Sequence, residues 1–440
     1  MHMLVPPSMQ TLSMRIASSY FSALILIACV FAPSVRSETW PTWRGQAGDN
    51  HAASGNQVPE NWDLTSGKNI VWKTAIPGRG HSSPVVTDDA IFLTTADNEK
   101  KTQSLLKLDR ESGKLIGETV LHRNGLPERI HPSNSHASPT PAFDGQHLFV
   151  CFHTNDSIVL SKVTPEGQID WQKKVCDFKP DQFQFGYGAS PVIEDNVVIV
   201  AAEYDGAGCG LYGLDRETGK QVWKAPRPIN LSFSSPIVAT VGGTRQLFLA
   251  GASTINSYDP ADGKLLWSID ESTDAICGTV VWDDRNVFIS GGYPGKGTWC
   301  VSGDGTKVRV WDNRVKCYEQ SLLRFGDHLL ALDDNGIGHC IDANDGESVW
   351  KKRLFDGKVS ASPLLVADRI YTASEDGGVV VISTNTEKCE ILAENQTGNS
   401  IFASPVVVDN RLYLRPAVGF GQDRQEYLVA IGRSAAGPPK

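Results

Sequence analysis

His81 stands two residues before the pair Ser83-Pro84, and His136 stands two residues before Ser138-Pro139. If the fold sets these turns side by side, two neutral imidazoles could hold a metal ion or a ligand. A loop histidine bonded to backbone would carry the same signature. The equivalent position in later units holds Gly188, Phe233, Ile276, Glu319, Ser360 and Phe402. Two long connections accompany them. Residues 121–137 contain His122, Arg123, Arg129 and His131, and residues 173–189 contain Phe183, Phe185 and Tyr187. Long connections in a compact repeat are where binding residues gather. The expected ligand face therefore comprises His81, His136, Arg129, Tyr187, Phe233 and Glu319, with Glu319 across the ring from the two histidines and outside their metal-binding reach.

Other chemistry finds little support. Gly219-Lys220 lies between two strands and not at a strand-to-helix turn, so it is no phosphate loop. No GxSxG elbow and no HExxH helix occurs, and the Ser-Pro serines recur too often to include one special nucleophile. Asp97, Asp205, Asp334 and Asp376 fall at hairpin turns, where Asp is chosen for local hydrogen bonds. Past residue 37 the cysteines are isolated, at Cys151, Cys176, Cys209, Cys277, Cys300, Cys317, Cys340 and Cys389. That spacing signals neither zinc ligation nor a tight disulfide framework. No catalytic residue and no metal site is assigned.

The elements that position these residues are repeats. A small-Ser-Pro-apolar unit recurs at Ser83, Ser138, Ser190, Ser235, Ser362 and Ser404, with degenerate copies at Gly278-Thr279 and Ser321-Leu322. The eight units are spaced by ~40–55 residues, the length of a four-stranded propeller blade. Each is followed by β-branched runs and turn residues, as in SPLLVADRIYTASEDGGVVVI from Ser362. A second signature closes the repeat: Asp215-x-x-Thr218-Gly219-Lys220-x-x-Trp223, and likewise Asp259 to Trp267 and Asp342 to Trp350. The Gly supplies a positive-φ turn, and the indole is expected to pack on the next blade. Trp72, Trp171, Trp223, Trp267, Trp311 and Trp350 are thus structural. The small residue two before each repeat Asp, read as Ser161, Gly213, Ser257, Cys300, Cys340 and Ala430, is a core spacer. Trp72 has an outer strand with no repeat before it, while residues 426–433 form a third strand with no tryptophan after it. The N-terminal strand should therefore close the last blade, which removes free sheet edges. The expected fold is all-β, an eight-bladed propeller of four-stranded antiparallel blades.

The AxDxxTGxxxW pattern resembles the PQQ-like repeat of quinoprotein dehydrogenases and of the outer-membrane barrel-assembly lipoprotein BamB, over residues 69–433. The preceding Trp40-Pro41-Thr42-Trp43-Arg44-Gly45, with Pro59-Glu60-Asn61-Trp62, is similar to the opening of secreted bacterial members. A WD40 propeller fits less well, since only Trp311 among the repeat tryptophans precedes Asp. The resemblance implies two functions. One is a non-catalytic extracytoplasmic binding scaffold, BamB-like, without cofactor. The alternative is a dehydrogenase holding pyrroloquinoline quinone (PQQ) with calcium, but this sequence lacks the adjacent cysteine pair and the long blade inserts of those enzymes. A hydrolase using loop His and Arg residues has no constellation to support it.

The ends and the charge complete the reading. Residues 1–37 are expected to be a signal peptide, with the apolar stretch IASSYFSALILIACVF after Arg15, too short to span a bilayer. Two cleavage readings fit: after Ser37, with Val35 and Ser37 at the recognition positions, or before Cys29 in a lipobox-like Leu26-Ile27-Ala28-Cys29. Only the second would lipidate Cys29 and attach the chain to a membrane. Residues 38–68 are expected to pack on the propeller, and 434–440 form a tail. The formal net charge of −9, without a basic run, excludes a nucleic-acid partner. A monomer is expected, exported to the periplasm or cell surface, taking a protein or small molecule on the loop face.

Overall fold

The computed structural model describes residues 38–433. The export segment, both cleavage readings, Cys29 and residues 434–440 lie outside them. Among the described residues there is no α-helix, only a 3-10 turn at Gly421–Asp423. Seven sheets each contain four antiparallel strands hydrogen-bonded in chain order, covering residues 85–123, 142–177, 192–226, 237–269, 281–313, 323–353 and 364–396. The eighth runs Val406–Val408, Arg411–Leu414, Gln425–Ile431 and then, as its outer strand, Ile70–Ile76 from the other end of the chain. Two short strands, Ser400–Ile401 and Pro416–Val418, extend it. The molecule is an eight-bladed β-propeller, closed as the lone Trp72 strand requires.

The closing signature works through three contacts. Asp215 holds its turn by accepting from the backbone N–H of Thr218 (2.7 Å) and from its hydroxyl (2.6 Å). Gly219 then turns at φ +67. Beyond its positive φ, the glycine leaves room for the neighbouring indole. A Cβ built on Gly113, Gly219, Gly263 or Gly346 would lie 2.3 to 2.9 Å from the indole of Trp72, Trp171, Trp223 or Trp311 of the preceding blade. Every third-to-outer strand pair also carries a bulge beside this contact. That adds the twist which turns the indole toward its neighbour. Opposite the indoles stand Gly213, Ser257, Cys300, Cys340 and Ala430, so Cys300 and Cys340 are packed spacers with no exposed surface. Blade two departs from this, since Trp171 pairs with Lys162 and the expected spacer Ser161 pairs with Gln172.

The start of blade two is a correction. Each inner strand begins two residues after its anchor, and Ala142 begins this one, so the anchor is Thr140-Pro141 and not Ser138-Pro139. The hydrogen bonds agree. The N–H of Ser83 donates to Thr140 Oγ1 (3.0 Å), that of Thr140 to Ser190 Oγ (2.9 Å) and that of Ser190 to Ser235 Oγ (2.9 Å). Across the ring, Thr279, Ser321 and Ser362 donate in the same way to Ser321, Ser362 and Ser404. The hydroxyls recur because six of the eight, those of Thr140, Ser190, Ser235, Ser321, Ser362 and Ser404, accept the preceding blade's N–H, forming a belt of two arcs around the axis. Between the arcs Ser83 Oγ donates to the Ser404 carbonyl (3.1 Å) and Thr279 Oγ1 accepts from Trp43 Nε1 (2.9 Å). Ser138 instead bonds Asn134 and Ser135 within its loop. The tandem SPTP contains two X-Pro pairs, and only this belt distinguishes them.

Candidate functional site

Inside the belt is a funnel of about 250 Å³. Its mouth is ringed by the residues two before each anchor: His81, Ser138, Gly188, Phe233, Glu319, Ser360 and Phe402, with Cys277 serving blade five. Ile276, expected there, is fully buried, and its carbonyl accepts the N–H of Phe233. The two long connections meet over blades two and three. The N–H of His131 and the Nδ2 of Asn134 both donate to the carbonyl of Phe185 (3.3 and 2.7 Å), which brings His131, Asn134 and Phe185 to the opening.

The floor comes from the N-terminal extension, which passes beneath the inner strands. Trp40 exchanges two backbone bonds with Val86, Phe143 donates to the Pro41 carbonyl, and Ala52 and Asn50 engage Leu365. From this segment Trp43 reaches up the axis, and its Nε1 donates to Thr279 Oγ1 in the belt (2.9 Å). Beside it Arg44, 1% exposed, is held by the carbonyls of Gly48, Asp49 and Leu322; burial lowers its pKa to about 10, which leaves it charged at neutral pH. The axis is therefore open at the loop face and closed at the other end.

The walls are aromatic and the charges unequal. His81 stacks on Phe402 at 4.4 Å and 11°. Phe185 lies 6.1 Å from Phe233, 5.4 Å from Phe183 and edge-on to His131 at 5.3 Å. Burial, and then the cations of Arg79, Arg415 and Arg424, hold the His81 pKa well below the usual histidine value, so the ring is neutral at physiological pH. Arg415 itself is locked behind it by Glu426 (2.8 Å) and the Thr94 carbonyl (2.9 Å). On the opposite wall, burial by surrounding protein pushes the Glu319 carboxyl above the ordinary range; Glu375 and Asp334 add to this, while Ser360 and His131 oppose it. The Cys277 thiol, which faces the same carboxylates, is raised by burial and then by Glu319 and Asp334, which suppresses the thiolate a nucleophile needs.

Of the six expected ligand-face residues, the funnel takes His81, Phe233 and Glu319. His136 and Arg129 line an adjoining open groove with Arg79 and Glu128, which shares His131, Asn134 and Phe185 with the funnel. The two-residue shift of the anchor gives the rim position of blade two to Ser138, and the His81 N–H donates to the carbonyl of Ala137 (3.0 Å), next to His136. Tyr187 turns inward: it is 6% exposed, and its hydroxyl donates to the carbonyl of Ala201 (2.9 Å). Trp43 was missed as a site residue, since its sequence places it beside the propeller without showing that it points up the axis.

Fold and belt define a propeller of the PQQ-like repeat class. The family described as "Outer membrane protein assembly factor BamB" matches at residues 44–180, 101–324 and 310–414, and the chain belongs to that family. Curated relatives come from both branches. One is a quinoprotein ethanol dehydrogenase of Pseudomonas putida, 24% identical over 250 residues, which are 50% of this chain and 37% of the enzyme. Another is the outer membrane protein assembly factor BamB of Shewanella oneidensis, 20% identical over 254 residues, which are 52% of this chain and 59% of that protein. The matched stretches thus span less than two thirds of both relatives. Among solved structures, BamB of Moraxella catarrhalis superposes with a TM-score of 0.60 at 16% identity, over 82% of this chain and 99% of that one. A europium-containing methanol dehydrogenase gives 0.62 at 12% identity, over 90% and 98%. At these identities the structural likeness shows the fold alone.

Proposed function

We infer that the chain is an extracytoplasmic binding scaffold, exported and without catalysis of its own, whose loop face receives a protruding side chain of a protein partner, or a small molecule, in the funnel. The observation that carries this reading is the funnel closed by Trp43. It offers a partly aromatic seat of about 250 Å³, below the ~300–1,000 Å³ usual for sites that enclose a whole cofactor or drug-sized ligand. Kinship with an assembly factor supports the same reading.

The dehydrogenase alternative requires the residues to fit PQQ and calcium, and they do not. PQQ carries several carboxylates, yet the funnel lining contains no Lys or Arg and includes Glu319. Among the described residues no group of three His, Cys, Asp or Glu side chains is arranged to hold a metal ion. The deciding experiment titrates the purified chain with PQQ and calcium while following absorbance and thermal stability, because a ligand specific to the native state raises apparent stability. The scaffold reading expects no saturable change; saturable binding with a raised Tm would replace it with the quinoprotein reading.

A further inference from the structure

We propose that the funnel is a seat for a cation on an aliphatic stem, the guanidinium or ammonium of an Arg or Lys side chain from a partner polypeptide. This rests on the binding reading above and specifies its chemistry.

Three observations converge. First, the acidic wall is short of donors. The single hydroxyl proton of Ser360 serves both Glu319 and Glu375 (2.7 Å to the latter). Neither carboxylate makes an ion pair among the described residues, and the nearby Lys316 is committed to Asp334 at 2.6 Å. Two carboxylates sharing one proton donor leave lone pairs that an N–H-rich cation can satisfy with charge-assisted bonds. Second, no Lys or Arg lines the funnel to compete. Arg415, behind His81, is neutralised by Glu426, and Arg44, beside Trp43, is turned into the carbonyls of Gly48, Asp49 and Leu322. The neutral His81 ring presents a stacked, uncharged face with Phe402. Third, the remaining wall is aromatic, with Phe185, Phe233 and Phe402 at the mouth and Trp43 below. Such surfaces pack methylene stems and attract cations over their ring faces. A small acid would meet Glu319, with Glu375 behind Ser360, and no Lys or Arg countercharge in the lining. A purely apolar group would leave those carboxylates unsatisfied.

Calorimetric titration of the full chain tests this with matched probes: N-acetyl-arginine methylamide, N-acetyl-lysine methylamide, the neutral N-acetyl-citrulline methylamide, and agmatine as a free small cation. The cationic amides should bind saturably, at least about tenfold tighter than citrulline. In Glu319→Gln, which preserves shape, the advantage over citrulline should shrink by about tenfold while Tm stays near that of the parent. Gly188→Trp should abolish binding by filling the mouth, since a Cβ at Gly188 meets no atom within 4 Å and the fold need not change. Tighter binding of the amides than of agmatine identifies a polypeptide side chain as the source, and the reverse identifies a free amine. Equal binding of citrulline and arginine would overturn the charge inference while leaving the scaffold reading in place. Saturable binding that survives Gly188→Trp, or no binding of any cation at millimolar concentration, would overturn the site itself.

Discussion

His122 and His153 lie under the loop face, edge-on to Phe152 at 5.8 Å and to Phe178 at 4.9 Å. Burial lowers each pKa from the usual value to about 4. Depressed values mean that the unfolded chain takes up protons first. Their stability contribution is whole above about pH 6.5 and is lost as pH falls toward 4. Thermal melts between pH 7 and pH 4.5 should show a falling Tm, and His122→Gln with His153→Gln should flatten that slope by on the order of 1 kcal/mol per residue. An unchanged slope would mean that both rings titrate freely in the folded state. At this scale the sequence was only partly legible. Phe233 and Glu319 could be placed at the rim because they hold a fixed position before an anchor. His136 could not, because the tandem SPTP hides which Pro begins the strand. Trp43 could not, because its direction depends on the closed ring above it and not on its neighbours in the chain.

The blade is the element whose logic was most legible, since hydrophobic alternation, turn residues and the tryptophan spacing all specify the same four strands. The unseen part was the second role of the turn glycine, because the indole it accommodates comes from another repeat. The two roles are separable. At Gly346 an alanine would carry both a φ of +77 and a Cβ 2.5 Å from the Trp311 ring, whereas at Gly326, with φ +55, it would meet nothing within 4 Å. Gly326→Ala should cost about 1 kcal/mol from backbone strain. Gly346→Ala should cost about 3 kcal/mol or more, since it also overpacks the blade contact. Urea denaturation of the two variants measures the difference; equal losses would reduce the glycine to a turn residue.

For the whole molecule, closure depends on a strand from the far end of the chain. Ile70–Ile76 pairs with Gln425–Ile431, residues 40–52 stitch inner strands from beneath, as where Trp40 pairs with Val86 and Ala52 donates to Leu365, and Trp62 fastens the end of the outer strand of blade seven, its Nε1 donating to Thr397 Oγ1 (2.8 Å). A chain beginning after residue 76 should therefore expose an unpaired edge on blade eight, lose the funnel floor and self-associate, seen as rising mass in light scattering. A monodisperse, equally stable truncation would show that closure is dispensable. The repeat count and the orphan Trp72 made this topology readable. The use of the extension as a plug was not readable, because a segment without a repeat gives no register against the ring. The most direct test of the funnel as the recognition surface is selection of random peptides for binding to the full chain, followed by affinity measurements on the Gly188→Trp variant. The account predicts that selected peptides carry Arg or Lys and lose binding when the mouth is filled. Peptides that bind the filled and open forms equally well would contradict it.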